Sequence, residues 1–287
     1  MALDEPLAHW TSLRVGGPAD ALVRVDTRDE LLRLLAFCRA RALPVTILGG
    51  GFNALVCDGG VRGVVVRLAG LRGIALEGET LLRAEAGVTH TQITRFCAEQ
   101  ARTGLEFGVG IPGSVGGWIA MNAGTHSREM KDLVVSLELF EPEGAEIVER
   151  ERDELVFHYR ATELPPGAIV VSAAFRTWPA PSQEIRERQK LFLAQRRATQ
   201  PVDQPSCGSV FKNPPGDFAG RLIEAAGLKS AREGSAMISP LHANFIVNCG
   251  GARASDVLRL IERARSEVAK QFGVALETEV RISGEPL

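Results

Sequence analysis

Ser209 stands in PSCGSVFKNP, residues 205–214, directly after Gly208 and shortly before Lys212 and Asn213. A serine between a glycine and the bulky pair Val210-Phe211 can be held with its hydroxyl facing a cleft, and Lys212 adds positive charge. No G-x-S-x-G elbow surrounds it, so a hydrolase nucleophile is a poor reading, and alone the segment reads as a turn ended by Pro214-Pro215. Cys207 is a weaker nucleophile still, because the pattern fixes no histidine near it. Arg160 follows Tyr159, the single tyrosine, and its planar fork suits a carboxylate or phosphate. Glu279 lies in TEVRI, residues 278–282, whose alternation sets Glu279 and Arg281 on one face and Thr278, Val280 and Ile282 on the other. By itself it reads as a solvated strand carboxylate. HANFIVN, residues 242–248, alternates into a strand, which alone suggests only a strand edge.

A second kind of chemistry is written in glycine. Residues 108–117 read GVGIPGSVGG, five glycines in ten positions between Phe107 and Trp118. Glycine is costly to order and is favoured where the backbone takes positive φ or lies against a ligand. A loop that turns bare N–H groups inward cradles anions. Residues 49–54, GGGFNA, are similar, and both loops match G-x-G-x-x-G/A. The dinucleotide fingerprint also needs a helix directly after the glycines. Here LVCDGGVRGVVV follows one loop, and Pro112 with more glycine interrupts the other. A Rossmann domain is therefore not expected, whereas a backbone wrapped round a phosphate-bearing cofactor is.

These residues need a scaffold, and 287 residues exceed one typical domain. The spacing predicts a strand over 21–25, a helix over 27–41 opened by Thr27 with Glu30, and strands over 45–48 and 64–68. A second lobe has a strand over 81–85, a helix over 89–100 and strands over 134–140 and 169–175. PAPS, residues 179–182, reads as a linker into a charged helix over 183–198. A helix over 255–272 is expected to start on a Ser255 cap and stop at Gly273, with a closing strand over 277–282.

Net charge is −2, with pI near 6.3 and no basic stripe, so nucleic acid is not an expected partner. The five scattered cysteines lack a C-x-x-C pair, which argues against a disulfide framework or zinc site. The N-terminus has no signal-peptide pattern and no apolar run suits a membrane span, so a cytoplasmic protein is expected. Asparagine occurs only at 53, 122, 213, 244 and 248, and lysine only five times among 33 basic residues. Such residues inside glycine-rich motifs are more readily explained by chemistry than by composition.

Together these segments resemble the UDP-N-acetylenolpyruvoylglucosamine reductases, flavoenzymes of peptidoglycan precursor synthesis. Seven blocks carry the resemblance: 12–20, 48–53 with Asp58-Gly59, 104–124, Tyr159-Arg160, 208–214, 242–248 and 279–281. It implies an α+β fold, with a two-lobed FAD-binding domain of the vanillyl-alcohol oxidase type and a smaller α+β substrate domain. The implied boundaries are 1–182 (lobes about 1–68 and 69–182) and 183–287, the last strand free to return to the first lobe. The implied cofactors are FAD and NADPH, and the partner is a nucleotide-sugar substrate, with no metal.

Carried over by position, Arg160, Ser209 and Glu279 match the catalytic trio, and Tyr159, Lys212, Asn213, His242 and Asn244 match substrate-facing positions. Gly49, Gly50, Gly51, Phe52, Asn53 and Ala54, with Gly110, Ile111, Pro112, Gly113, Ser114, Val115, Gly116 and Gly117, match the cofactor cradle. Phe52 replaces a frequent serine, which implies one fewer hydroxyl contact. With Tyr159 its sole tyrosine, the chain resembles the short variant, which lacks a tyrosine-bearing closing segment. The alternatives are a sugar or alcohol oxidase of the same flavin superfamily and a flavin- or nucleotide-binding regulator.

Overall fold

The computed structural model describes residues 1–125 and 128–287. They divide into two compact units. Met1, Val23–Gly50 and Val65–Gln195 make the first, and Ala2–Leu22, Gly51–Val64 and Arg196–Leu287 make the second.

The first unit is built on a five-stranded antiparallel sheet, in the order Glu146–Glu151, Val134–Glu141, Ile169–Arg176, Leu81–Glu85 and Ile74–Glu77. Ile169–Arg176 (IVVSAAFR) is buried along all but its last residue, as a central strand rich in β-branched residues should be. Helix His90–Glu99 opens on a true capping box, Thr89 with Gln92, and buries Ile93 and Cys97. Helix Arg28–Ala40 opens on Thr27, whose hydroxyl accepts the Glu30 N–H at 3.1 Å, while the Glu30 carboxylate accepts the Asp26 N–H rather than that of Thr27. A six-residue helix, Val115–Ala120, begins within the glycine-rich segment and includes Gly116 and Gly117, where the sequence reading expects none. Its Trp118 and Ile119 join Phe175 in the apolar core, and that burial stabilises a turn of helix that is too short to stand alone.

The loop itself is hung on the exit of the strand Leu81–Glu85. The Val115 and Gly116 N–H groups donate to the Val88 and Ala86 carbonyls, both at 2.9 Å, and the Gly113 carbonyl accepts from the His90 N–H at 3.0 Å. Residues 179–182 are not a free linker. Trp178–Pro179 pairs with Arg102–Thr103, and the Ala180 N–H donates to the Ala101 carbonyl, so these backbone groups are bound inside the unit up to the start of helix Ser182–Thr199.

The second unit carries a four-stranded antiparallel sheet in the order Ser206–Ser209, Phe245–Asn248, Ala236–Ile238 and Arg232–Glu233. Phe245–Asn248 lies inside this sheet rather than at its edge. Helix Ala254–Phe272 covers the core with Val257, Leu260, Ile261, Ala264 and Val268, and stops at Gly273 with φ +68°. The expected strand over 277–282 is regular only at Arg281–Ser283, which pairs in parallel with Ala54–Val56. Val280 is buried but Ile282 is 43% exposed, so the alternation read from the sequence does not persist through this segment.

Ser255 is not the cap of the long helix, which begins one residue earlier at Ala254. The capping carboxylate is Asp58, whose two oxygens accept the Ala254 and Ser255 N–H groups at 2.8 and 2.9 Å. Burial alone raises the Asp58 pKa, but hydrogen bonds from Ser255 and Ala254 and the charge of Arg253 outweigh it and hold the group below its usual value. Asp58→Ala is expected to cost about 1 kcal/mol of stability at neutral pH, the ordinary value of a helix cap. A depressed folded-state pKa gives stability above the unfolded value of about 3.9 and loses it as the pH falls through the folded one. Denaturant melts of both proteins check this, since the gap between them should close only as the pH drops below about 4.

Candidate active site

In the second unit, Ser209 is fixed from both sides. Gly208 takes φ +76°, which breaks the register of Ser206–Ser209 against its neighbour between Ser206 and Ser209. Beyond it, Val210 and Phe211 are buried, and the Val210 N–H donates to the Asn244 carbonyl at 2.8 Å. The Asn244 side chain grips Phe211: its Oδ1 accepts the Phe211 N–H at 2.9 Å and its Nδ2 donates to the Phe211 carbonyl at 2.8 Å. Asn244, expected to face substrate, is 4% exposed and bonds to the chain itself.

Glu279 is brought to the same place by the backbone. The Lys212 N–H donates to the Glu277 carbonyl at 2.9 Å, Phe211 bridges to Thr278, and the Glu279 N–H donates to the Val210 carbonyl at 2.8 Å. Two stretches far apart in sequence are thereby zipped together one residue beyond Ser209. Asn53 closes the cluster, its Nδ2 donating to the Glu279 carbonyl at 3.1 Å while its own carbonyl accepts the Arg281 N–H. Asn53 is one residue before the strand that begins at Ala54, and the neighbouring Phe52 carbonyl lies 3.7 Å from where a Gly208 side chain would start.

Lys212 pairs with Glu277 at 2.5 Å. Asn213 accepts the Ala219 N–H at 3.0 Å and so caps the helix Ala219–Ala225. His242 accepts the Asn244 N–H on Nδ1, which leaves the proton on Nε2, and burial together with the Lys229 charge lowers its pKa. Burial pushes the Cys207 thiol up to about 12, and the Glu279 charge adds to the rise. A thiolate nucleophile there is therefore disfavoured at neutral pH.

In the first unit, Tyr159 and Arg160 form the two-residue turn between the strands Val156–His158 and Ala161–Glu163. Arg160 occupies the left-handed region at φ +58°, and its guanidinium carbon lies 5.0 Å from the Tyr159 ring centre. Tyr159 is 43% exposed.

The glycine loops are expected to cradle a phosphate. Within the first unit, a Cβ built on Gly49 would stand 3.3 Å from the Ser114 Oγ, so a side chain there would crowd the other loop. Among the described residues, the N–H groups of Gly49, Gly50, Gly113 and Ser114 donate to no protein acceptor. Ser114 precedes the helix Val115–Ala120, yet its hydroxyl does not cap it. Side-by-side donors with no Cβ at Gly49 to block access fit the diphosphate of FAD. Val115 and Gly116 serve as anchors, because their N–H groups are bonded to the neighbouring chain. One contributor escaped the sequence reading: Arg67 reaches the Gly49 carbonyl with Nη2 at 3.5 Å. Among so many arginines its type carried no signal.

Comparison with known proteins agrees with this geometry. Residues 200–283 match the model of the UDP-N-acetylenolpyruvoylglucosamine reductase C-terminal domain, and residues 19–149 match an FAD binding domain. A UDP-N-acetylenolpyruvoylglucosamine reductase of Rubrobacter xylanophilus is 46% identical over 99% of this chain and 95% of its own. The chain belongs to the UDP-N-acetylenolpyruvoylglucosamine reductase family. It is accordingly an FAD-dependent oxidoreductase with an α+β fold. The reductase of that name from Anaeromyxobacter dehalogenans is 48% identical over 98% of this chain and 85% of its own. The crystal structure of UDP-N-acetylenolpyruvylglucosamine reductase from Thermus caldophilus superposes with a TM-score of 0.84 at 41% identity, covering 98% of this chain and 97% of that one. Among the described residues, no helix is long and apolar enough to cross a membrane.

Proposed function

We propose that this protein reduces the enolpyruvyl ether of UDP-N-acetylglucosamine enolpyruvate to UDP-N-acetylmuramate, with NADPH as the electron source, in the cytoplasmic synthesis of peptidoglycan precursors. The observation that supports the reading is the zipper of residues 210–212 against 277–279, which bonds the backbone next to Ser209 to that of Glu279, whose carbonyl also accepts from Asn53. The names of the relatives support the same substrate.

FAD, when bound, supplies the hydride that reaches the terminal methylene of the substrate. Negative charge then grows on the adjacent carbon and its carboxylate. Arg160 binds that carboxylate through a charge-assisted fork. Glu279, in its protonated form, donates a hydrogen bond to the same oxygens. Ser209 passes a proton to the carbanionic carbon, completing the reduction. Lys212 lends positive charge near the nucleotide diphosphate, and Tyr159, Asn213 and His242 line the substrate's approach. Asn244 acts from behind by holding Phe211, and through it Ser209.

The cofactor part of the proposal assigns residues 49–54 and 110–117 to the FAD pyrophosphate and flavin edge, with the N–H groups of Gly49, Gly50, Gly113 and Ser114 as the donors. Gly49→Val is expected to weaken FAD binding at least about tenfold, or about 1.4 kcal/mol. Fluorescence titration of the apoprotein measures it, and unchanged affinity removes Gly49 from the cradle.

The decisive experiment is anaerobic. NADPH should bleach the flavin, and the enolpyruvyl substrate alone should restore its colour. Rapid recovery on exposure to air, with no response to the enolpyruvyl substrate, would instead identify an oxidase of the same superfamily.

A further inference from the structure

The hairpin that carries Arg160 is tied to a carboxylate that the proposed reaction does not use. The Arg160 Nη1 lies 3.8 Å from the Glu129 Oε1, and the two side chains are only 18% and 17% exposed. Glu129 is itself rigidly held. Its Oε2 accepts from the Asn122 Nδ2 at 3.0 Å and pairs with the Lys131 ammonium at 2.8 Å, and its own N–H donates to Asp132 at 2.8 Å. Asn122 is fully buried, and the same Nδ2 that grips Glu129 donates to the His158 carbonyl at 2.9 Å. Its Oδ1 accepts the Lys131 N–H at 3.0 Å. One amide therefore links the carboxylate to the hairpin two residues before Arg160, fixing the distance between the charge and the turn.

We propose that Glu129, clamped by Asn122, is a positioning residue that sets the direction of the Arg160 guanidinium toward the substrate carboxylate. This rests on the reading that Arg160 binds that carboxylate. At 3.8 Å the pair attracts as charges without the short, parallel fork–carboxylate bonds that would make Glu129 a competitor for the substrate. The Tyr159 ring, 5.0 Å from the guanidinium carbon, restrains the group further. A long side chain loses rotamer freedom when it binds, and a fixed counter-charge removes part of that loss beforehand. The otherwise unfavourable left-handed φ at Arg160 belongs to the same arrangement, because it fixes where the side chain leaves the turn.

The test compares Glu129→Gln, which preserves the shape and the Asn122 bond but removes the charge, in the wild-type and Arg160→Lys backgrounds of the FAD-loaded protein. Reoxidation by the enolpyruvyl substrate should slow about tenfold to a hundredfold in the first background, with the limiting rate falling more than substrate affinity. In the Arg160→Lys background the added loss should vanish, since no fork is left to orient. Flavin reduction by NADPH should be unchanged by the Glu129 substitutions in the wild-type background. Glu129→Asp, which keeps the charge but draws it back, should show the same selective loss and serves if the glutamine variant does not fold. Wild-type reoxidation in both Glu129 variants, or an equal loss in both backgrounds, overturns the positioning role. Full activity of Arg160→Lys alone would instead overturn the reading of Arg160 itself.

Discussion

Ser209→Ala is expected to leave flavin reduction by NADPH at its normal rate and to slow reoxidation by the enolpyruvyl substrate at least about 10³-fold. The expectation is sharp because the substitution is structurally mild. The backbone around Ser209 is held by Gly208 at φ +76°, by the Val210 bond to Asn244 and by the buried Phe211, none of which needs the hydroxyl. Only a proton source is lost, at the carbon where charge has accumulated. Rapid-mixing kinetics separates the two half-reactions. Equal losses in both would mean that the hydroxyl shapes the site and does not carry the proton.

Arg160→Lys is expected to lose at least about 10²-fold in the same half-reaction, because a point charge on a flexible stem cannot reproduce a planar fork. Arg160→Gly should be slower still and yet no less stable. Left-handed φ costs an ordinary residue about 1–2 kcal/mol, which glycine avoids, and Glu129 keeps its partner Lys131 at 2.8 Å. Melting temperature and substrate-dependent reoxidation should thus move independently. A glycine variant that unfolds, or a lysine variant with full activity, would place the value of Arg160 in the fold or nowhere in the reaction.

Asp58 and Asn244 show polar side chains bound to the backbone of their own chain. Both fall in segments that resemble the family's motifs. Asn244 holds the residue two places after Ser209, so its substitution should disturb catalysis through geometry. Glu129 has the opposite history. An acid in a charged surface stretch carries no signal in one sequence, and only its contacts with Asn122 and Arg160 give it a role.

The sequence by itself determined what is encoded locally. Thr27 and Thr89 announced two helix starts, the strand Leu81–Glu85 followed from its apolar residues, and Gly273 marked the end of the long helix. The glycine loops were legible as stretches of free backbone with bare N–H groups, because both are properties of residue type. The tertiary structure decided whatever depends on partners remote in the chain. It chose Asp58, 196 residues away, over Ser255 to cap the long helix. It bent the segment after Glu279 so that Val280 is buried while Ile282 is exposed. It zipped residues 210–212 onto 277–279, and it turned the Asn122 amide toward both Glu129 and the Arg160 hairpin. Caps and periodicities act within a few residues of one another, whereas hydrogen bonds between distant stretches are fixed only when the core brings their backbones together.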